Sequence, residues 1–224
     1  TSAGNPNTWT KELKQKNIKV VHVVSSVKFA IKAESSGVDA IVAEGFEAGG
    51  HNGREETTTM CLVPDVAKAI YTPLIAAGGI IDGKSMLAAM ILGADGVQMG
   101  TRFVASKESS AHENFKNMVL KAKEGDTRLT LKEITPVRMM KNNFFQELEE
   151  LYKINPSKEQ LLNKLGRGRA KLGMFEGNLE AGELEIGQAS SQINKVFTAQ
   201  EIIQQIMTEF SSIKSQMLID NKFN

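Results

Sequence analysis

The residues best suited to chemistry lie in one run, Glu44-Gly45-Phe46-Glu47-Ala48-Gly49-Gly50-His51-Asn52-Gly53. It follows a short apolar stretch, Ala40-Ile41-Val42-Ala43, that reads as a buried strand. A carboxylate at a strand end, Glu44, can accept hydrogen bonds from the hydroxyls of a sugar or ribityl chain. Gly49 and Gly50 remove side chains where another group must come close to the backbone. His51 can take up or release a proton near neutral pH.

Two further runs suit an anion. Ala76-Ala77-Gly78-Gly79-Ile80 and Gly100-Thr101-Arg102-Phe103 each end a strand and carry small residues. Bare N–H groups there, with a following helix N-terminus, form an anion pocket. A phosphate site beside a histidine and a glycine pair suggests a phosphorylated planar cofactor. The residues alone leave flavin mononucleotide (FMN) and a sugar phosphate both open.

Other candidates read as structural. His22, inside an apolar strand, reads as a satisfied core histidine, and His112 as a solvated residue in the first turn of a helix. Cys61 has no basic neighbour and opens an apolar helix, so it reads as an inert buried thiol. Three histidines without paired spacing and one cysteine make no zinc pattern. The ten methionines read as core filler and Glu147–Glu150 as a solvated helix face. Gly166-Arg167-Gly168-Arg169 reads as a phosphate cradle or a mobile surface loop.

These runs need elements to position them. Ile18–Val24, Val38–Ala43, Pro73–Ala77 and Gly96–Met99 read as strands. Ser26–Ser36 reads as a helix stopped by Gly37, a helix runs to about Ile70, and Asp82 caps a helix over Lys84–Leu92. Ser110-x-x-Glu113 reads as a capping box opening a helix to about Lys123. Strand, glycine loop and helix in repetition predict a parallel sheet with helical crossovers, either doubly wound or a (β/α)8 barrel. Every unusual residue follows the C-terminal end of a strand, and several successive strands contribute. That favours the barrel. Residues 1–124 form this part. Residues 125–224 read as a helical appendage, with helices over Leu129–Lys141, Asn143–Tyr152, Ser157–Leu165 and Ile202–Phe210. Ser157-x-x-Gln160 and Thr198-x-x-Glu201 read as capping boxes.

A chain of 224 residues with a net charge of +1 can bury a sizeable core and gives no electrostatic argument for nucleic acid or an anionic membrane. No apolar run approaches the ~20 residues that span a bilayer. One cysteine fits a reducing cytoplasm.

The ordered set GFEAGGHNG, AAGGI, LGADGVQMGTRF and ESSAHENFK resembles the flavin-dependent nitronate monooxygenase family, formerly the 2-nitropropane dioxygenases. Its superfamily includes the FMN-dependent enoyl-acyl-carrier-protein reductases. The likeness is close from Thr1 to about Met118 and looser beyond, through LGRGRAKLG and the glycine-rich stretch ending in GQAS. It implies an α/β, (β/α)8 TIM barrel holding FMN, with the C-terminal half of the barrel visible and a C-terminal helical cap. Ala77, Gly78, Gly79, Gly100 and Thr101 then surround the phosphate. Glu44 and Gln98 contact the ribityl or ring region, and Gly49 and Gly50 pass beside the isoalloxazine. His51 matches the active-site histidine, a base or polariser at the substrate.

The resemblance implies a cytoplasmic oxidoreductase acting on a small-molecule substrate. The leading expectation is oxidation of alkyl nitronates with dioxygen. The alternative is enoyl-thioester reduction with NAD(P)H as reductant, since EAGGHNG, TTTMCLVPDV and TSAGNP look as much like the enoyl reductases. A third reading, of another class, is a fragment that binds without turnover. By this likeness TSAGNP is the loop after the fourth barrel strand, and the visible strands are the fifth to eighth. The N-terminal half is then expected from preceding residues or a companion chain. A homodimer is compatible with the reading.

Overall fold

A computed structural model describes residue 1 and residues 4–217. Ser2 and Ala3 of the opening TSAGNP run lie outside the described residues. The elements begin with α1 (Thr10–Gln15), β1 (Val21–Val24), α2 (Val27–Ser35), β2 (Ala40–Glu44) and β3 (Gly50–His51). Next come α3 (Thr59–Ala69), β4 (Leu74–Ala77), α4 (Gly83–Ile91), β5 (Gly96–Gln98), α5 (Thr101–Val104) and α6 (Glu113–Leu120). The chain ends with β6 (Thr127–Thr130), β7 (Val137–Met140), α7 (Asn143–Tyr152), α8 (Lys158–Leu165), α9 (Arg169–Met174) and α10 (Ala199–Met217). Packing divides it into two compact units. One comprises Thr1–Phe46, Glu55–Met99 and Ile203–Asn224, the other Glu47–Arg54 and Gly100–Ile202. Among the described residues no helix is long and apolar enough to cross a membrane.

The first unit is α/β. Its sheet has the order β1-β2-β4-β5, and every pairing is parallel. Ile41, Val42, Ala43 and Ala76 are buried, as continuous apolar strands covered on both faces should be. Ala30 and Ala33 of α2 and Leu62, Val63 and Val66 of α3 close the core. Ser26 caps α2 by accepting from the Phe29 N–H at 3.4 Å, and Gly37 takes the left-handed turn that stops it (φ +78°). The edge strand β1 starts at Val21, later than the expected start at Ile18; Ile18 and Val21 are exposed.

Register in this sheet is fixed by a repeated sequence. Gly37-Val38-Asp39-Ala40 and Gly93-Ala94-Asp95-Gly96 each join a helix to a strand. Asp39 accepts from the Val20 N–H at 2.8 Å, and Asp95 accepts from the Leu74 N–H at 2.8 Å. Each carboxylate therefore ties the start of its own strand to the start of its neighbour. Lys14 and the Val20 amide hold the Asp39 carboxyl down to about 2.

The second unit corrects the all-helical expectation for residues 125–224. It holds an antiparallel sheet of order β3-β7-β6. Leu129–Lys141, expected as a helix, is mostly a hairpin in which Thr127 faces Met140 and Thr130 faces Val137. The helix-like spacing of its apolar residues misleads because all of Val137–Met140 is buried and loses the period of two. Leu131 at φ +56° and Pro136 also break a helix there. Leu131, Val137, Met139, Phe144, Phe145, Leu148 and Leu161 form this unit's core. Ser157 and Gln160 make the expected capping box of α8, and Thr198 and Glu201 make that of α10, which continues beyond Phe210 to Met217.

If Asp95 sets register through its hydrogen bond, Asp95→Ala should cost about 1–2 kcal/mol in chemical denaturation. Asp95→Asn, which keeps an acceptor oxygen, should recover most of the loss. Equal losses in both variants would assign the effect to charge instead.

Candidate active site

The parallel sheet aligns the predicted strand-end residues. Glu44 is the register partner of Ala77, and Ala77 is the partner of Gln98. Glu44, Ala77 and Gln98 thus stand abreast at the carboxyl ends of three neighbouring strands. The amides after Glu44 do not serve its side chain: Gly45 donates to the Ala77 carbonyl at 2.9 Å and Phe46 to the Thr57 carbonyl at 2.9 Å. Burial alone pushes the Glu44 carboxyl up to about 7. A half-buried carboxylate without amide donors is poised to accept from a ligand.

After β4 the chain turns through Gly78 and Gly79, both left-handed (φ +94° and +70°). A Cβ on Gly78 would stand 2.7 Å from the Gly45 carbonyl oxygen and 2.9 Å from the Thr59 hydroxyl. Thr59 itself donates to the carbonyls of Ala77 (3.1 Å) and Gly78 (2.8 Å), bracing the turn. Gly79 is exposed, and among the described residues nothing accepts from its N–H. The N-terminus of α4 is a different matter. Ser85 Oγ accepts from the Ile81 and Asp82 amides, Asp82 accepts from Ser85 N–H, and Glu209 accepts from Gly83 N–H. The expected helix N-terminus is therefore already capped by carboxylates. An anion at this strand end meets the glycine turn alone.

In the second unit, β3 lays Gly50 and His51 against Arg138 and Val137 of β7. His51 is exposed. Asn52 clamps the loop, donating through Nδ2 to the carbonyls of Ala48 and Gly50, both at 2.9 Å. The glycine pair answers to the protein's own chain. A Cβ on Gly49 would stand 2.4 Å from the Ile186 carbonyl carbon, and one on Gly50 would stand 2.8 Å from Glu185 Oε2. The Gly187 N–H donates to Thr101 Oγ1 at 3.1 Å, and Gln188 N–H to the Glu47 carbonyl at 2.9 Å. Segment 183–188 thus carries Gly49, Gly50 and Thr101 as neighbours within this unit.

That segment also brings two carboxyls that residue spacing did not single out. Glu183 is 6% exposed, and its Oε1 has no hydrogen-bond partner among the described residues. Burial, and then the Glu185 charge, push the Glu183 carboxyl up to about 7. Burial raises Glu185 as well, while His51 pulls it down. The signal in the chain was Glu183-Leu184-Glu185-Ile186, an alternation that turns both acids to one side of an extended segment.

Several other readings change. Cys61 is exposed rather than buried, because α3 turns Leu62, Val63 and Val66 inward instead. Ser110 does not cap α6. His112 does, accepting from Asn114 N–H at 3.1 Å, and it is half-buried rather than solvated. Arg169 is no phosphate ligand: its guanidinium donates to the carbonyls of Lys164, Leu165 and Ala181 and lies 4.3 Å over the Phe144 ring. His22 is buried as expected, 2.6 Å from Thr1 Oγ1.

The family model described as nitronate monooxygenase matches residues 1–209. A probable nitronate monooxygenase of Staphylococcus saprophyticus is 36% identical over 220 residues, covering 93% of this chain and 61% of the relative. FabK from Thermotoga maritima is 40% identical with a TM-score of 0.88, over 96% of this chain and 68% of that one. A nitroalkane oxidase from Streptomyces ansochromogenes is 25% identical with a TM-score of 0.80, over 96% and 63%. The chain belongs to the nitronate monooxygenase family. It spans about 61% of the length of the curated relatives it matches.

The Glu183 carboxyl makes a testable contribution to stability. Its folded value lies above its unfolded one, so the folded state binds more protons between about 4.5 and 7. Stability should be highest below that window, fall as pH rises through it, and level off above about 7. Glu183→Gln should flatten the slope and, at pH ~8, raise the unfolding free energy by on the order of 1–3 kcal/mol, and the melting temperature with it. Melts across this pH range that superimpose for parent and variant would refute it.

Proposed function

We propose that the protein is an FMN-dependent oxidoreductase that oxidises alkyl nitronates with dioxygen. The four parallel strands are then the C-terminal half of a (β/α)8 barrel within residues 1–124, and residues 125–224 its cap. The observation that carries the reading is the row Glu44, Ala77 and Gln98 at neighbouring strand ends, continued by a left-handed glycine turn with an open N–H. The donor chemistry fits FMN: an amide cradle free of side chains for phosphate, and a carboxylate and an amide side chain for hydroxyls and ring atoms. When bound, FMN supplies a two-electron acceptor that dioxygen can reoxidise.

By the resemblance, Gly78, Gly79, Gly100 and Thr101 offer backbone N–H groups to the phosphate, with Ala77 keeping the approach open. Glu44 accepts from ribityl hydroxyls, and Gln98 contacts the ribityl or ring region. Gly49 and Gly50 keep the ring side clear. His51 holds the substrate and acts as base or polariser at its reacting atom.

A second reading, enoyl-thioester reduction with NAD(P)H, gains weight from the likeness to FabK. Mixing experiments separate the two. Under anaerobic conditions an alkyl nitronate should bleach the flavin absorbance, and air should restore it. Bleaching by reduced nicotinamide and not by nitronate would put the second reading in place of the first.

Two substitutions test the roles. Gly79→Asp sets a carboxylate among amides meant for phosphate, so the folded variant should purify without flavin. His51→Ala should keep flavin and slow substrate-driven reduction by about 10²–10⁴. A yellow Gly79→Asp protein would remove the phosphate assignment, and parental stopped-flow traces would remove His51 from turnover.

A further inference from the structure

His51 stands on the shortest strand of the second unit. β3 holds only Gly50 and His51, which pair with Arg138 and Val137 of β7. The imidazole is exposed, and among the described residues no side chain hydrogen-bonds it. Its place is therefore set by the backbone that carries it. Segments with few buried contacts are the first to open, yet this one is fastened on its C-terminal side by two residues that the proposed function does not use. Asn52 donates its N–H to the Pro136 carbonyl at 2.8 Å, extending the pairing with this part of the chain. Its Nδ2 donates to the carbonyls of Ala48 and Gly50, both at 2.9 Å. Both acceptors are carbonyls, so both amide protons are used, and a carboxylate of the same shape would have none to offer. Two positions on, Arg54 donates from Nη1 to the Lys132 carbonyl at 3.2 Å and from Nη2 to the Ile134 carbonyl at 2.9 Å. The turn that offers these carbonyls is itself firm. The Ile134 N–H donates to the Leu131 carbonyl at 3.0 Å, and Leu131 is fully buried. Ile134 packs on the core of this unit, and Tyr152 of α7 donates to Glu133 Oε2 at 2.7 Å. A planar guanidinium held at two points fixes direction as well as distance.

We propose that Asn52 and Arg54 are the positioning residues of His51: Asn52 closes the backbone around the histidine, and Arg54 pins the end of its loop to the β6–β7 turn. The inference rests on the assignment of His51 to proton handling in the proposed function. Both residues act through the backbone and not at the reacting atom. They hold the loop in one conformation, so that the imidazole meets substrate in one place. Moving a catalytic group by about 1 Å can cost roughly 10² in rate. With either fastening lost, the pairing with β7 and the close approach of Gly49 to Ile186 remain. His51 then stays nearby, but its range widens. The effect falls on kcat more than on KM, because a displaced histidine slows the step and leaves the rest of the binding surface as it was.

Amide hydrogen exchange, read by peptide mass spectrometry, tests the fastening without turnover. Asn52→Asp keeps the shape and turns two donated bonds into repulsion between oxygens. Exchange in residues 47–54 should be roughly threefold faster or more in Asn52→Asp and in Arg54→Ala than in the parent, and unchanged in α7. Unchanged exchange in residues 47–54 of both variants would overturn the proposal. Stopped-flow reduction of the flavin by an alkyl nitronate tests the positioning. Both variants should lower kcat by roughly 10–10²-fold with little change in KM. Taking the pH from ~7 to ~5 protonates the introduced carboxyl and returns one donor, so the rate of Asn52→Asp relative to the parent should rise while that of Asn52→Ala stays level. Guanidinium ion below denaturing concentration should restore part of the Arg54→Ala rate, and sodium ion should not. Faster exchange with parental kcat would overturn the positioning role, as would rates that neither acid nor guanidinium restores. Asn52→Ala, which removes the donors without repulsion, serves in the exchange experiment if Asn52→Asp does not fold. If exchange shows the fastening while His51→Ala reduces flavin at the parental rate, the fastening stands and the assignment of His51 falls.

Discussion

The parallel sheet depends on two carboxylates that most readings of the chain would pass over. Asp39 and Asp95 sit at the starts of their strands and accept from the amides that begin the neighbouring ones. A slip of one residue in a parallel pair would turn every buried side chain to the wrong face. By fixing where pairing starts, the two aspartates also fix where it ends. Glu44, Ala77 and Gln98 come out level because the strands entered level. The site at the strand ends is thus determined at the opposite end of the sheet.

Around His51 the governing constraint is backbone proximity. Gly49 lies so close to Ile186 that no side chain fits. The approach seats Glu183 and Glu185 in surroundings where ionisation is costly, and both carboxyls are raised. Glycines that look like room for a ligand are first of all room for the chain.

The chemistry of the family is shared by groups with different substrates. A turn of glycine amides with one carboxylate at a neighbouring strand end says little about what is oxidised or reduced. Glu183 and Glu185 lie in the less closely resembling part of the chain, after Met118.

The sequence by itself determined the first unit almost fully. Short β-branched runs, glycine stops and caps at Ser26 and Asp82 act over a few residues, so strand and helix order was legible. The strand-end candidates followed, because in a parallel sheet position along the chain nearly sets position at the mouth. The second unit was not legible in the same way. Val137–Met140 is buried on both faces and shows no alternation, so nothing local told strand from helix. The seating of His112 depends on the Met174 carbonyl, which accepts from its N–H, and the anchoring of Arg169 on a turn that brings the Ala181 carbonyl back to it. The approach of Glu185 to Gly50 joins residues more than a hundred positions apart, and only tertiary packing decides which distant partner a buried charge will meet.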